Sequence, residues 1–238
     1  MIRYEKAFPE ELIKEINKTP IAFFPLGTLE WHGWHMVLGT DAIKAHELCL
    51  LTAEKTGGVV LPPFYFGTDN TESITNNFRI GMDIPTKTIL PGSCYYLDSK
   101  LFRLLIDQII MNLVRQGFKV IIFLIGHYPK VQRKVVTDAI KAINTKNVNC
   151  IAIAEYELVE DLGYTGDHAG KWETSILTYL NPKLVDLKRL ILHKTKGDHM
   201  MGVDGENPDE ATMNLGEHIV EIIVDRLVSR INQMKKLI

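Results

Sequence analysis

An α/β fold built on a mostly parallel sheet, with helices on both sides, is predicted by three observations. Along the 238 residues, short β-branched or aromatic runs alternate with longer amphipathic stretches. Those runs are mostly continuous in apolar residues rather than alternating, the pattern of strands covered on both faces. Their order, β-α-β-α-β-α-β, is that of parallel strands joined by helical crossovers.

The first strand is read in IAFFPLG, 21–27. TDAIKAHELCLLTAEKTG (40–57) places apolar residues three and four apart and ends at a glycine, as helices do. GVVLPPFYFG (58–67) reads as the second strand. Residues 68–92, TDNTESITNNFRIGMDIPTKTILPG, are polar and carry no helical apolar stripe, so they form a long loop or a small hairpin. Long loops in compact domains are often functional. LDSKLFRLLIDQIIMNLVRQGF (97–118) is the second helix, KVIIFLIGH (119–127) the third strand, VQRKVVTDAIKAINTKN (131–147) a helix and NCIAIAEY (149–156) the fourth strand. Residues 209–238 close the chain as an amphipathic helix, with Lys235 and Lys236 opposing its dipole. No repeat or low-complexity linker intervenes, and a single domain over 1–238 is expected.

Composition excludes several classes of partner. Hydrophobic residues make up 46% of the chain, enough for a substantial core. Lys and Arg number 27 against 29 Asp and Glu, so no basic field is present to collect nucleic acid or anionic lipid. Cys49, Cys94 and Cys150 are odd in number and widely spaced, which predicts reduced thiols in a cytoplasmic protein. The charged start, MIRYEKAFPEELIKEIN, lacks the apolar core of a signal peptide, and no apolar run reaches the ~20 residues of a membrane span.

Ligands of open parallel sheets bind beyond the carboxyl ends of the strands. Glu30, His32, His35 and Asp41 follow the first strand, His127 ends the third, and Glu157 follows the fourth, with Asp167, His168 and Glu173 beyond it in DHAGKWETS. Three loops on one edge thus each supply imidazole or carboxylate. Mixed nitrogen and oxygen donors suit zinc, manganese or iron, and several carboxylates can hold two divalent ions by letting one bridge them. Glu30 and His32, two apart, leave the same face of an extended segment. Asp41 is either a ligand or the cap of the helix that begins there. A lone histidine is more often a hydrogen-bonded core residue, but these residues together form one constellation.

PLGTLEWHGWHMVLGTD (25–41) resembles the first signature of the creatininase family, G-[ST]-x-E-x-H-G-x-H-x-x-x-G-T-D. PGSCYYLDSKLFRLLIDQIIMNLVRQGFKVIIFLIGHYP, DHAGKWETS and GVDGENPDEAT resemble the family's later motifs in the same order. The resemblance implies a three-layer α/β/α sandwich, a homohexamer, and hydrolysis of cyclic or formyl amides at a centre of two divalent ions, zinc first and manganese or iron as alternatives. It also implies roles: Glu30, His32, Asp41, His127 and Glu173 as metal ligands with Asp41 bridging, His168 as the acid/base serving the leaving nitrogen, and Asp167 as its acidic neighbour. Tyr128 and Tyr164 stand where the substrate is expected, and His35 resembles a histidine that supports the ligands. Trp31 and Trp34 either line the pocket or pack between subunits.

The chain departs from the family in IGHYPK (125–130), where the creatinine-hydrolysing members have His-Tyr-Glu and this chain has Pro129 and Lys130. The 68–90 stretch also differs from the family's shorter loop. The expected function is therefore a metal-dependent amidohydrolase that attacks a small amide, a creatinine-like ring or a formamide on a heterocycle, with metal-activated water. Two alternatives stand beside it: a non-catalytic metal or ligand binder of the same fold, and a peptidase acting on a cofactor-precursor peptide. Lys130 either meets a substrate carboxylate or points to solvent. His46, His193, His199 and His218 match no motif.

Overall fold

The computed structural model describes residues 1–143 and 148–236. In chain order the elements are β1 (Ile2–Arg3), α1 (Pro9–Lys18), β2 (Ile21–Leu26), α2 (Thr40–Thr56), β3 (Val59–Val60), β4 (Thr71–Ile74), β5 (Asn77–Ile80), α3 (Asp83–Thr86), α4 (Ser99–Arg115), β6 (Val120–Ile125), α5 (Lys130–Ile143), β7 (Asn149–Ala154), α6 (Lys171–Leu180), α7 (Lys188–Lys194) and α8 (Met213–Lys235). The main sheet has the order β1-β3-β2-β6-β7, and its pairings are parallel. β4 and β5 form a separate antiparallel hairpin within the 68–92 stretch.

Side chains alternate across the sheet, and each face is covered. Ile21, Phe23, Val120, Ile122 and Leu124 pack under α2, α6 and α8, through Leu48, Ile176, Ile223 and Leu227 among others. Ala22, Phe24, Leu26, Ile121 and Phe123 pack against α4 and α5 through Phe102, Ile106, Val136 and Ala139. The result is a mostly parallel sheet between two helical layers. β2 and β6 are buried along their whole length, which explains their unbroken apolar runs.

Two readings of the sequence need correction, and a third reaches beyond the described residues. The second strand is only Val59–Val60, because Pro62 and Pro63 remove ladder donors just beyond it. The helix α1 was not foreseen: none of its residues is fully buried, so its apolar stripe is thin, while Pro9 starts it and the Glu11 carboxylate accepts from the Phe8 N–H. The helix expected to run to residue 147 is described as far as Ile143, and its expected end lies outside the described residues.

The seat of α2 positions everything that follows. A Cβ on Gly27, just after β2, would lie 2.2 Å from Ala42 N, and one on Gly126, just after β6, 2.2 Å from Asp41 O. These contacts admit only glycine, and they let the first turn of α2 rest directly on the two strand ends. Gly126→Ala is expected to push α2 off the sheet and lower stability by about 1–3 kcal/mol. A denaturant midpoint unchanged from wild type would show that α2 does not depend on this approach.

Candidate metal centre

Glu30 and His32 lie in the loop after β2, Asp41 is the second residue of α2, His127 follows β6, and Glu173 is in the first turn of α6. All five are buried. Asp41 does not cap α2, since Gly39 is the cap residue and no side chain serves it. Instead the Asp41 carboxylate is presented to two imidazoles: Oδ1 is 2.9 Å from His32 Nε2 and Oδ2 is 3.2 Å from His127 Nδ1. Glu30 Oε2 is 3.1 Å from the same His127 nitrogen, and Glu173 Oε2 is 3.9 Å from His32 Nε2.

Two overlapping triads follow, Glu30–Asp41–His127 and His32–Asp41–Glu173, each with ligand atoms within 4.8 Å of one another. Asp41 Oδ2 is buried without a well-aligned hydrogen-bond donor, although His127 is close. Converging ligand atoms with one buried carboxylate oxygen left unsatisfied fit a divalent cation, and carboxylate with imidazole is the donor chemistry of zinc or manganese. A third grouping joins His168 to Glu30 and His32.

The charges are strongly coupled. Burial opposes the charged form of His32, but the Asp41 carboxylate and its hydrogen bond, with Glu173 beyond, push the imidazole up to about 9. Burial would raise Asp41, and the two histidines hold it well below the usual carboxylate range. His127 is likewise raised: burial opposes its charged form, and the carboxylates of Glu30, Asp41 and Asp69 together outweigh it. His35 behaves oppositely; burial and then His32 lower it to about 4, and its neutral ring sits 2.9 Å from the Thr174 hydroxyl, supporting the turn that carries Glu173.

Sequence reasoning missed Lys44 and Glu155. Lys44, one turn after Asp41, is fully buried and pairs with both Glu155 and Glu173. Glu155, not Glu157, is the carboxylate that β7 delivers to the interior; Glu157 turns back to accept from Ala154 N and lies 3.5 Å from Arg133. Burial pushes Glu155 up to about 7 against the pull of Lys44, whereas Lys44 itself is raised because its two carboxylates outweigh its burial. The available signal was a lysine on the apolar face of an otherwise buried helix.

A cavity of about 430 Å³ lies over the cluster, walled in part by Tyr128, His168 and by Met82, Ile84 and Pro85 from the 68–92 stretch. His168 Nε2 is 2.8 Å from the Trp31 carbonyl, which makes that nitrogen the donor and leaves Nδ1 facing Glu30 Oε2 at 4.0 Å. Among the described residues the Tyr128 hydroxyl is buried with no partner. Two expected residues sit elsewhere. Asp167 spends Oδ2 on the N–H groups of Trp172 and Glu173, capping α6, because the start of a buried helix needs an acceptor. Tyr164 is not on the wall of this cavity; it packs on the α6–α8 side of the core and lines an adjoining recess with Lys171 and Trp172. Trp31 and Trp34 bond the Met201 and Asp198 carbonyls, pinning the loop before Val203.

The creatininase family model, described as creatinine amidohydrolase, matches residues 8–231. The chain belongs to the creatininase family. A creatinine amidohydrolase of Pseudomonas putida is 25% identical over 190 residues, 73% of this chain and 69% of that protein. A crystal structure of creatinine amidohydrolase superposes with a TM-score of 0.78 at 21% identity, covering 97% of this chain and 96% of the other. A Zn-Zn mutant creatininase and a Mn creatininase match at 0.78 and 0.77, with 19% and 20% identity and 97% of each chain covered. The creatinine amidohydrolase relatives are hydrolases acting on amide C–N bonds.

Against the creatininase pattern, this chain's Pro129 offers no ligand atom. Lys130 opens α5 and lines a separate surface groove with Arg133 and Lys134, away from the cavity over the carboxylates. Among the described residues no helix is long and apolar enough to cross a membrane.

Two outcomes test the electrostatics. The proton on His32 adds stability to the ion-free protein that is complete below 6.5 and lost as pH rises through about 9. A divalent ion must displace that proton, so zinc affinity should strengthen from pH 6.5 to 9 with proton release, read by calorimetry in buffers of different ionisation enthalpy. Affinity that is flat across this window would remove His32 from the ligands. Separately, Lys44→Met should cost about 3–5 kcal/mol by leaving Glu155 and Glu173 buried without a cation, and Lys44→Met with Glu155→Leu should recover part of it on thermal melting.

Proposed function

We propose that this chain is a divalent-metal-dependent amidohydrolase acting on a small cyclic or formyl amide, a creatinine-like ring or a formamide on a heterocycle. The observation that carries the reading is the pair of triads sharing Asp41 beneath the cavity over His127. Glu30, Asp41 and His127 would hold one ion, and His32, Asp41 and Glu173 the other, with zinc first and manganese next. When bound, the ions polarise the amide carbonyl and bring a water's pKa toward neutrality.

The chain's own residues supply the rest. His168 has its Nε2 proton committed to the Trp31 carbonyl, so Nδ1 is the position that exchanges a proton with the departing nitrogen. Tyr128 is held protonated by burial and by Glu173, and its unpartnered hydroxyl is a donor for a substrate carbonyl or ring nitrogen. Met82, Ile84 and Pro85 give the cavity of about 430 Å³ an apolar wall against which a small amide packs. Asp167 acts through the helix it caps, keeping Glu173 and His168 in place, rather than by touching substrate. The homohexamer and the cytoplasmic location implied by the resemblance belong to the same reading; the exposed Leu101, Leu104 and Met111 of α4 support an assembly surface.

One observation favours the non-catalytic alternative. Glu173 gives Oε1 to Lys44 and Oε2 to the Ala169 N–H at 2.7 Å, so its hold on a second ion is shared. Metal stoichiometry decides. Glu173→Gln is expected to lower two ions per chain to one and to remove activity; two ions retained would take Glu173 out of the ligand set. His168→Ala should keep both ions while losing ~10²- to 10⁴-fold in turnover of creatinine or a small formamide. Failure of the zinc- or manganese-loaded wild type to hydrolyse any small amide in such a panel would overturn the enzyme reading.

A further inference from the structure

The two nitrogens of His127 face different carboxylates. Nδ1 lies 3.1 and 3.2 Å from Glu30 and Asp41, while Nε2 lies 3.3 Å from Asp69 Oδ2. A neutral imidazole carries one proton, and whichever nitrogen donates it leaves the other as the ligand. A carboxylate accepting from Nε2–H therefore selects Nδ1 as the atom that meets an ion, the arrangement by which outer partners orient metal-bound histidines.

Asp69 does not reach His127 by chance of a side-chain rotamer. Its Oδ1 accepts from Asn70 N at 2.6 Å, and Asn70 O in turn accepts from Gly81 N at 3.1 Å. Gln132 of α5, wholly buried, accepts from Thr68 N at 2.9 Å and donates to the His127 carbonyl at 2.7 Å. The main chain beside Asp69 is thus tied to the main chain of His127 through one amide, while the side chains meet directly. Where β5 ends, across from Asn70 at the open end of the hairpin, Gly81 has φ of +52°, and a Cβ there would lie 2.5 Å from Asp69 Oδ2 and 2.6 Å from Glu30 Oε1. A side chain there would have to displace both carboxylates and adopt a left-handed φ that favours glycine.

We propose that the 68–92 stretch is a built part of the metal centre, with Asp69 as the positioning residue that fixes His127 through Nε2 and Gln132 as the amide that holds the two loops in register. This rests on the metal-centre reading above. The 68–92 stretch, which walls the cavity with Met82, Ile84 and Pro85 after the hairpin, also braces a ligand of the first ion through Asp69 before it, so pocket shape and metal affinity are set by one segment.

The test is zinc competition against a chromophoric chelator for the wild type and for Asp69→Ala, Asp69→Asn and His127→Ala, with melting of each ion-free protein and NMR of the zinc-loaded ones. Asp69→Ala should bind zinc about 10- to 100-fold more weakly with an ion-free melt close to wild type, and should lose the exchange-protected Nε2–H signal of His127. Asp69→Asn keeps the shape and, with its oxygen on Asn70 N, turns an NH2 donor toward His127 Nε2, so it should weaken zinc at least as much as the alanine variant and lose the same Nε2–H signal; if the alanine variant does not fold, the asparagine variant decides by the same two readings. Wild-type zinc affinity and a protected Nε2–H in the Asp69 variants, with affinity lost in His127→Ala, would overturn this proposal and leave the metal-centre reading standing. No zinc bound by the wild type would overturn both.

Discussion

The arrangement depends on how closely the first turn of α2 approaches the carboxyl ends of β2 and β6. Gly27 and Gly126 have no side chain to hold that turn away, and the backbone of Asp41 and Ala42 occupies the space a Cβ would take. The consequence is chemical. Asp41 arrives between the loop carrying Glu30 and His32 and the loop carrying His127, and its two oxygens face different imidazoles. A carboxylate set further out on the helix would reach one group only, and two separate triads could not share it.

Concentrating carboxylates in a buried place has a cost in desolvation that must be offset by counter-charge. The chain uses imidazoles on the Glu30 side and a buried ammonium on the other. Lys44 stands one turn beyond Asp41 on the same helix, so the seat of α2 that places the shared ligand also places the cation that balances Glu155 and Glu173. The two triads are therefore unequal. Glu30 is answered by His127, whereas Glu173 is divided between Lys44, the Ala169 N–H and its neighbours in the cluster. Pro129 adds to this inequality by offering no further ligand on the second side.

The helix α6 shows the same economy. Its buried N-terminus needs acceptors for free N–H groups, and Asp167 supplies one. That role turns the acidic neighbour of His168 into a fixture of the helix, which in turn presents Glu173 inward and leaves His168 at the cavity wall with its outer nitrogen bound to the Trp31 carbonyl. Trp31 is itself held by the loop at Met201. Proton transfer at the cavity would thus be handled by a ring whose orientation is set from two directions.

By itself the sequence determined the layers and the edge on which chemistry is carried. Unbroken apolar runs in β2 and β6 are possible only where both faces are covered, so helices on both sides were legible, and ligand-type residues cluster just beyond those runs. Local signals also failed for local reasons: the polar helix α1 hides its thin stripe, and the paired prolines end β3 early. What only the tertiary structure decided was partnership. Asp69, Gln132 and Glu155 lie in ordinary surroundings along the chain, Lys44 is marked only by its place on a buried helix face, and each acquires its role from a residue far away in sequence: Lys44 from Glu173, Glu155 from Lys44, Asp69 from His127, Gln132 from Thr68. Periodicity reports which face of an element is buried. Which charge meets which is set by the close seating of one element on another, and no pattern within a single element encodes it.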